Sequence, residues 1–158
     1  MPRATGGRMK YFEDFRLGEV SVLGPLVVDE AEVLEYGRKY DPQPFHTDKA
    51  AAAQSHFGGL IASGWHTCAM QMRLMVEEMT RDQVAGMGSP GLESCRWLKP
   101  VRLGDRLTCR TEVIDARPSA SKPYGILKRR FELSNQDGEV VMRLVGLGLV
   151  AKRPEARA

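Results

Sequence analysis

Residues 63–80 read SGWHTCAMQMRLMVEEMT, and this stretch decides the fold. Its apolar residues recur at three- and four-residue steps: Trp65, Cys68, Ala69, Met72, Val76 and Met79. This spacing predicts one long helix with a broad apolar face. The helix is expected to begin at Ser63 and Gly64, and the glycines and proline of RDQVAGMGSPG, residues 81–91, end it. Other elements must cover the apolar face.

The chain after this helix reads as β-structure. The runs with strand character are LESCRWLKP (92–100), RLTCRTEVID (106–115), YGILKRRFELS (124–134) and EVVMRLVGLGLV (139–150). The Asp-Gly pair in NQDG (135–138) favours a hairpin between the last two. The last run is apolar on both faces, as expected of a central strand. Ahead of the helix, SVLGPLVVD (21–29) is also β-rich, and its Pro25 favours an edge or bulge position.

A first short helix is predicted directly after the β-rich run at residues 21–29. Asp29 is placed to cap this helix, which continues to Tyr40. Pro42 and Pro44 disfavour helical geometry beyond that point. Residues 41–46 are therefore expected to form a rigid, non-helical loop.

A second short helix is predicted in TDKAAAAQSH, residues 47–56, with Thr47 as its cap. The predicted order is then one strand, helices, and three or four antiparallel strands. This order is typical of an α+β fold in which a sheet wraps against the long helix.

The chain has 158 residues, of which 42% are hydrophobic and 27% are charged. These values are ordinary for one soluble domain, which we expect at residues 10–152, between a flexible N-terminal arm (1–9) and a C-terminal tail (153–158). No apolar run is long enough to span a membrane, and MPRATGGRMK does not read as a secretory signal. The cysteines lack metal-ligand spacing and fit reduced thiols, so a cytoplasmic protein is expected: Cys68, Cys95 and Cys109.

The formal net charge is +3, with the basic residues concentrated in the last third of the chain. This excess is too small for nucleic-acid binding, which normally uses a denser basic stripe. It suits an anionic small molecule such as a phosphorylated cofactor. A solvated basic face explains the same residues equally well.

The densest chemical signal is YDPQPFHTD, residues 40–48, which carries a carboxylate, an amide and an imidazole. If the segment were fully extended, Asp41 and His46 would lie roughly 16 Å apart, so it must fold back for them to act together. The two prolines restrict the segment and favour a fixed turn. A histidine next to a carboxylate suits proton transfer to and from water. Ordinary surface-loop residues are the competing interpretation.

A second signal is FGGLIASG, residues 57–64, which leads into the long helix. The free backbone amides and the dipole at a helix start favour negative charge that develops during a reaction. Ser63 and Gly64 therefore stand where an enolate oxygen could be stabilised. The alternative is that the glycines only permit close packing.

These residues together resemble those of the MaoC-like dehydratases and (R)-specific enoyl-CoA hydratases. The resemblance rests on DPQPFHTD, FGGLIASG, the long helix and RWLKPVRLGDRL (96–107), and it covers roughly residues 10–150. It implies a hot-dog fold, in which a long central helix is wrapped by a curved antiparallel β-sheet. It also implies a homodimer or a dimer of dimers, with the site near the subunit interface.

The family's motif is an Asp, any residue, an Asn, a Pro, any residue and a His. Asp41, Pro44 and His46 match it, whereas Gln43 stands in place of Asn, which bears on substrate range. The resemblance implies hydration or dehydration of a 2-enoyl-CoA-type thioester. Asp41 and His46 would hold one water, and the amide of Gly64 would face the thioester oxygen. Gln43 and Ser63 are expected to contact the substrate.

No metal or redox cofactor is expected, because coenzyme A enters as part of the substrate. Its phosphates are expected to meet basic residues such as Lys128 or Arg129. His56 and His66 are assigned structural or surface roles. The helical methionines form either an acyl channel or plain core: Met70, Met72, Met75 and Met79.

Two alternative functions stay open at this point. A hot-dog acyl-CoA thioesterase would share the fold and the substrate class, and many such enzymes use an acidic residue in the central helix. Glu77 and Glu78 lie near the far end of that helix. A non-catalytic acyl-CoA-binding module would keep the fold without turnover.

Overall fold

Five antiparallel strands form one open sheet in the computed structural model, which describes residues 7–155. The strand order is β1-β3-β4-β5-β2, so β1 and β2 are the edges. The strands are β1 (Val20–Val27), β2 (Gly91–Trp97), β3 (Arg106–Pro118), β4 (Tyr124–Ser134) and β5 (Val140–Ala151). The helices are α1 (Glu30–Tyr40), α2 (Pro44–Thr47), α3 (Lys49–Gln54) and α4 (Gly64–Arg81).

The long helix α4 packs against one face of this sheet. Its residues Met70 and Leu74 are buried in a single apolar core with residues of the three central strands. The strand residues of this core are Leu107, Cys109, Phe131, Leu133, Val141, Met142 and Leu144. The predicted α+β fold, with a central helix covered by an antiparallel sheet, is confirmed.

The positions of β1 and β5 in the sheet agree with their sequences. Pro25 lies on the edge strand β1, and the pairing with β3 shifts register between Leu23 and Leu26. The shift leaves room for a residue that has no N–H to donate. The strand β5 is flanked by β4 and β2, as its two apolar faces predict. The turn before β5 uses Gly138 at φ +74°, which glycine adopts without strain.

The segment between α1 and α3 differs from its prediction. Asp29 caps α1 by accepting a hydrogen bond from the Glu32 amide, as expected. However, the segment 41–46 is not wholly non-helical, because Pro44 opens the short helix α2. Proline fits this first helical position, where its missing N–H is not needed. The predicted cap Thr47 is also wrong, because Asp48 caps α3 through the amide of Ala51.

Residues near the start and near the end of the described range contact each other. Phe12 packs over β3, β4 and β5 in a second small core. Arg153, which the sequence places in the tail, binds the carboxylate of Asp14 at 2.6 Å through Nη2. Residues 1–6 of the predicted arm and residues 156–158 of the tail lie outside the described residues.

The structure of residues 7–155 also bears on disulfide bonds and on membrane-spanning helices. The three cysteines are free, so none forms a disulfide within residues 7–155. No helix in that range is both long and apolar enough to cross a lipid bilayer.

Candidate active site

Asp41, at the end of α1, and His46, in α2, lie side by side. Asp41 terminates α1, and its amide donates to the Gly37 carbonyl at 2.9 Å. The helical turn of α2 then brings the chain back, so that His46 Nε2 lies 3.2 Å from Asp41 Oδ2. The His46 side chain is 4% exposed and that of Asp41 is 20% exposed. The pair therefore combines a buried imidazole with a carboxylate that solvent or a ligand reaches.

The position of one proton on His46 follows from its second contact. Its Nδ1 lies 2.8 Å from the carbonyl oxygen of Ile61. Because a carbonyl only accepts, Nδ1 carries the hydrogen, and the lone pair of a neutral ring is on Nε2. Nε2 then faces Asp41 Oδ2, and two acceptors at this distance need a proton between them or a shared donor.

Two further hydrogen bonds hold the Asp41 carboxylate. Gln43 Nε2 donates to Oδ1 at 2.7 Å, and Ser63 Oγ donates to Oδ2 at 2.7 Å. Burial alone raises the pKa of Asp41, but these two bonds and the nearby His46 outweigh it and hold that pKa below its usual value. Asp41 is therefore an ionised acceptor at neutral pH.

Ser63 joins the carboxylate to the start of α4. It is the N-cap residue of α4 and is fully buried, yet its side chain caps none of the first amides of the helix. The hydroxyl is used on Asp41 instead. The first amides of a helix have no partner within the helix, and a side-chain cap normally satisfies one of them. The amide of Gly64 is one of this set, one residue from the contact with Asp41.

An indole ring covers Gly64. Trp97 Nε1 donates to the Gly64 carbonyl at 2.9 Å. A Cβ atom at position 64 would lie 2.6 Å from Trp97 Cε2, so a side chain there would collide with the ring. Trp65 packs edge-on against Trp97 with ring centroids 5.4 Å apart. Close packing against Trp97 therefore requires glycine at position 64, and the part of the Gly64 amide in the chemistry stays a prediction.

Gly37 is a site residue that the sequence interpretation missed. A Cβ atom on Gly37 would lie 2.8 Å from the His46 carbonyl oxygen and 3.1 Å from His46 Cβ. Glycine therefore lets α1 and α2 approach closely enough for Asp41 and His46 to meet. A glycine inside a predicted helix costs about 1 kcal/mol relative to alanine, and that cost was the available signal.

His66 is a buried residue of α4 that packs against an aromatic ring. It stacks on Tyr36 with centroids 4.8 Å apart and planes 9° apart. Burial lowers the pKa of His66, against a smaller opposing effect of Glu32. The neutral ring is consistent with the structural role expected from the sequence.

The remaining candidate residues fall in different places. Lys128 forms an ion pair with Glu93 at 2.7 Å. Arg129 is largely buried and pairs with Glu78 at 2.8 Å, so it is poorly placed to meet coenzyme A phosphates at the surface. Met70 is core, whereas the other three helical methionines line a cavity: Met72, Met75 and Met79.

Comparison with known proteins identifies relatives over most of the chain. The MaoC like domain family matches residues 17–130. The chain is 31% identical to the uncharacterized protein YdeM of Bacillus subtilis over 126 residues, covering 78% of this chain and 86% of YdeM. It is 29% identical to the mesaconyl-CoA hydratase of Cereibacter sphaeroides, covering 93% of this chain. The match spans only 43% of that hydratase.

Solved structures agree with this family and with the fold. A MaoC-like dehydratase from Rhodospirillum rubrum superposes with a TM-score of 0.82 at 37% identity, covering 92% of this chain and 99% of that one. A Mycobacterium tuberculosis protein with a double hot-dog fold superposes with a TM-score of 0.75 at 18% identity, covering 95% of this chain and 46% of that one. The fold is therefore a hot-dog fold. On the match to residues 17–130, the chain belongs to the MaoC-like domain family.

Proposed function

We propose that this protein adds water to, or removes it from, the double bond of a 2-enoyl-CoA-type thioester. The observation that carries the proposal is the pair formed by His46 Nε2 and Asp41 Oδ2 at 3.2 Å, with Nδ1 directed to Ile61. The pair suits a single water, because one O–H group can donate to each acceptor. Family membership supports the same chemistry, and the R. rubrum relative is a MaoC-like dehydratase.

The proposed chemistry starts from this water. His46 Nε2 takes one proton while the water oxygen attacks the β-carbon, and Asp41 holds the other O–H group and stabilises the imidazolium. A proton is returned at the α-carbon, so that His46 ends neutral. Dehydration follows the same steps in reverse. The ionised state of Asp41 supports this division of roles, because only a carboxylate accepts from water and balances the charge on His46.

The enolate formed in this step needs a hydrogen-bond donor at the thioester oxygen. We assign that role to the Gly64 amide at the start of α4, where the helix dipole also favours negative charge. The use of Ser63 Oγ on Asp41 supports the assignment, because the hydroxyl does not compete for the first amides of the helix.

Gln43 and Ser63 are better described as positioning residues than as substrate contacts. Each donates one 2.7 Å hydrogen bond to Asp41. Gln43, which stands where the family has Asn, still supplies a side-chain amide to this carboxylate. The departure from the motif is therefore compatible with the proposed chemistry.

Hydration is favoured over thioester cleavage by the state of the two acidic residues of α4. Glu78 is buried and paired with Arg129 at 2.8 Å. Glu77 is exposed and paired with Arg73 at 3.3 Å. Asp41 and His46 offer a better water-activating pair, since they face each other beside the start of α4.

A homodimer, or a dimer of dimers, forms part of the proposal. Exposed apolar side chains lie on α4 and on the adjacent edge strand β2: Trp65, Met72, Val76, Leu92 and Trp97. The strand β2 pairs only with β5, so its other edge is open within the described residues. A second copy would cover both and bring the interface beside Gly64. Sedimentation is expected to give the mass of two or four chains.

The cytoplasmic location and the absence of a metal or redox cofactor stay predictions.

The test follows the absorbance of the conjugated enoyl thioester with crotonyl-CoA and longer or branched 2-enoyl-CoAs, with free thiol assayed in parallel. Asp41→Asn and His46→Gln are compared with wild type, and His56→Gln is the matched control because His56 is exposed outside the pair. We expect loss of absorbance without thiol release, at least about 100-fold lower kcat in the two site variants, and an unaffected control.

Other outcomes would redirect the proposal. Thiol release without hydration would favour the thioesterase. Tight binding of acyl-CoA with neither reaction would favour the non-catalytic binding module. Equal activity of wild type and His46→Gln, with the variant folded, would remove His46 from the mechanism.

A further inference from the structure

Two of the three free cysteines face each other between α4 and β2. Cys68 on α4 and Cys95 on β2 place their Sγ atoms 3.8 Å apart, so the two thiols are in contact. Both residues are partly exposed, whereas Cys109 is 0% exposed. The mechanism proposed above uses none of these thiols.

A disulfide between Cys68 and Cys95 needs only a small movement. The S–S bond is about 2.05 Å long, so the two sulfurs must approach each other by about 1.8 Å. Rotation about the Cα–Cβ bonds supplies part of this approach without unfolding the backbone. Both side chains are only partly buried against the main core, so an oxidant as small as hydrogen peroxide can reach them.

The two thiols differ in how they can react. Burial raises the pKa of Cys68 to about 12, and the neighbouring Cys95 adds to this increase, against an opposing hydrogen bond from Trp97. Cys68 therefore keeps its proton at neutral pH. Because the thiolate is the nucleophile, the first attack on an oxidant falls to Cys95, and Cys68 is the second thiol that closes the disulfide.

We propose that Cys68 and Cys95 are a redox-active dithiol, which a peroxide converts to an intrachain disulfide between α4 and β2. The Cys95 sulfur attacks a peroxide oxygen, the O–O bond breaks, and the proton of Cys95 leaves with the departing oxygen as water or an alcohol. The Cys68 sulfur then attacks the sulfenic sulfur, the S–O bond breaks, and the hydroxide released takes the Cys68 proton to form water. The two thiols lose two electrons, which the peroxide gains. A dithiol reductant reopens the bond by thiol–disulfide exchange.

The disulfide would tie together the two elements that enclose Gly64. Cys68 follows Gly64 by one helical turn, and Cys95 precedes Trp97 by two residues on β2. Trp97 Nε1 donates to the Gly64 carbonyl at 2.9 Å, and its ring leaves no room for a Cβ atom at position 64. Drawing Cys95 toward α4 should therefore displace the ring or the glycine. Oxidation should lower the rate of hydration, and this consequence, unlike the disulfide itself, rests on the proposed function.

The test treats the reduced full chain with hydrogen peroxide, unfolds it, and alkylates the remaining thiols for mass spectrometry. We expect one alkylated thiol in place of three, a cross-link between Cys68 and Cys95 in the peptide map, and three thiols again after dithiothreitol. Cys68→Ser and Cys95→Ser should each form no intrachain disulfide. Cys109→Ala is the matched control and should still form it, because it keeps both members of the pair. Circular dichroism checks that the three variants fold.

Three results would overturn the disulfide. They are three thiols that stay open to alkylation, a single cysteine oxidised to the sulfinic acid without a cross-link, and an interchain disulfide on non-reducing electrophoresis. Dithiothreitol reduces a disulfide but not methionine sulfoxide, so recovery of the thiols and of activity identifies the cause.

Hydration of crotonyl-CoA before and after oxidation separates this proposal from the proposed function. We expect at least about tenfold lower kcat/KM in the oxidised wild type, recovery with dithiothreitol, and no loss in peroxide-treated Cys95→Ser. If the reduced protein hydrates no 2-enoyl-CoA, the hydratase proposal fails, and the thiol count still decides the disulfide. Unchanged kcat/KM in fully cross-linked protein would overturn the coupling to Gly64, while the disulfide stands.

Discussion

Gly37 on α1 lies against the backbone of His46 on α2, so that a Cβ atom at position 37 would come within 2.8 Å of the His46 carbonyl oxygen. The contact is between two backbones, and neither is free to rotate out of the way as a side chain is. The separation of α1 and α2, and with it the 3.2 Å approach of Asp41 to His46, therefore depends on a missing side chain.

Gly37→Ala should consequently separate the catalytic pair. Alanine favours a helix over glycine by about 1 kcal/mol, but the collision with His46 should cost about 1–3 kcal/mol and push α2 away. We expect kcat to fall at least about tenfold, with a smaller change in the free energy of unfolding measured in urea. Gly59→Ala is the control, because the nearest atom to a Cβ there is 3.9 Å away. Wild-type kcat in a folded Gly37→Ala variant would show that the pair tolerates the displacement.

Ser63→Ala should move the acidic limb of the pH profile of kcat/KM to higher pH. The Ser63 hydroxyl is one of the groups that hold the pKa of Asp41 below its usual value, so its removal raises that pKa. Asp41 then protonates at a higher pH, and kcat/KM should begin to fall at a higher pH than in wild type. Ser63→Thr, which keeps a hydroxyl, is the comparison. An unshifted limb in Ser63→Ala would mean that Asp41 does not govern it.

The hydrogen bond from Ser63 Oγ to Asp41 Oδ2 also affects the stability of the fold. The lowered pKa of Asp41 stabilises the fold above the usual carboxyl pKa, and this contribution is lost as the pH falls through the lowered value. Ser63→Ala should therefore be more destabilising in urea at pH 7 than in acid. An equal loss at both pH values would assign the effect to packing of the buried Ser63 side chain alone.

Local patterns predict part of this structure well. The periodicity of α4 and the cap at Asp29 are local, and both are found where the sequence predicts them. Pro44 is predicted to break a helix but opens one, because proline does both and only the surrounding chain decides between the two.

The candidate site is predicted less completely. Asp41 and His46 are visible in the sequence, but the Ile61 carbonyl that fixes the tautomer is a backbone atom with no sequence signature. The approach of Trp97 to Gly64 joins residues of different elements. Such contacts depend on how α4 and β2 pack, which no local pattern records.

Gly64 and Trp97 should be energetically coupled. Gly64→Ala places a Cβ 2.6 Å from the indole, so we expect a loss of about 1–3 kcal/mol in stability together with lower kcat/KM. Adding Trp97→Leu removes the ring and should recover part of the lost stability. A double-mutant cycle in urea measures this coupling. Trp65→Leu in the Gly64→Ala background is the control, and a similar recovery there would contradict the assigned collision.

The buried pair of Glu78 and Arg129 should be costly to break from one side. Glu78→Gln removes the negative charge that pairs with the Arg129 guanidinium at 2.8 Å, in surroundings where the two side chains are 6% and 14% exposed. Breaking such a pair costs about 3–5 kcal/mol, whereas replacing both members by apolar residues is often close to neutral.

We therefore expect Glu78→Gln to lower the free energy of unfolding by about 3 kcal/mol, and Glu78→Leu with Arg129→Met to recover most of it. Glu77→Gln is the matched control on the same helix, because its pair with Arg73 is exposed and worth only about 0.3–0.5 kcal/mol. Urea unfolding measures all three variants. If Glu78→Gln and Glu77→Gln cost the same, water reaches the Arg129 guanidinium and the cavity beside it is not dry.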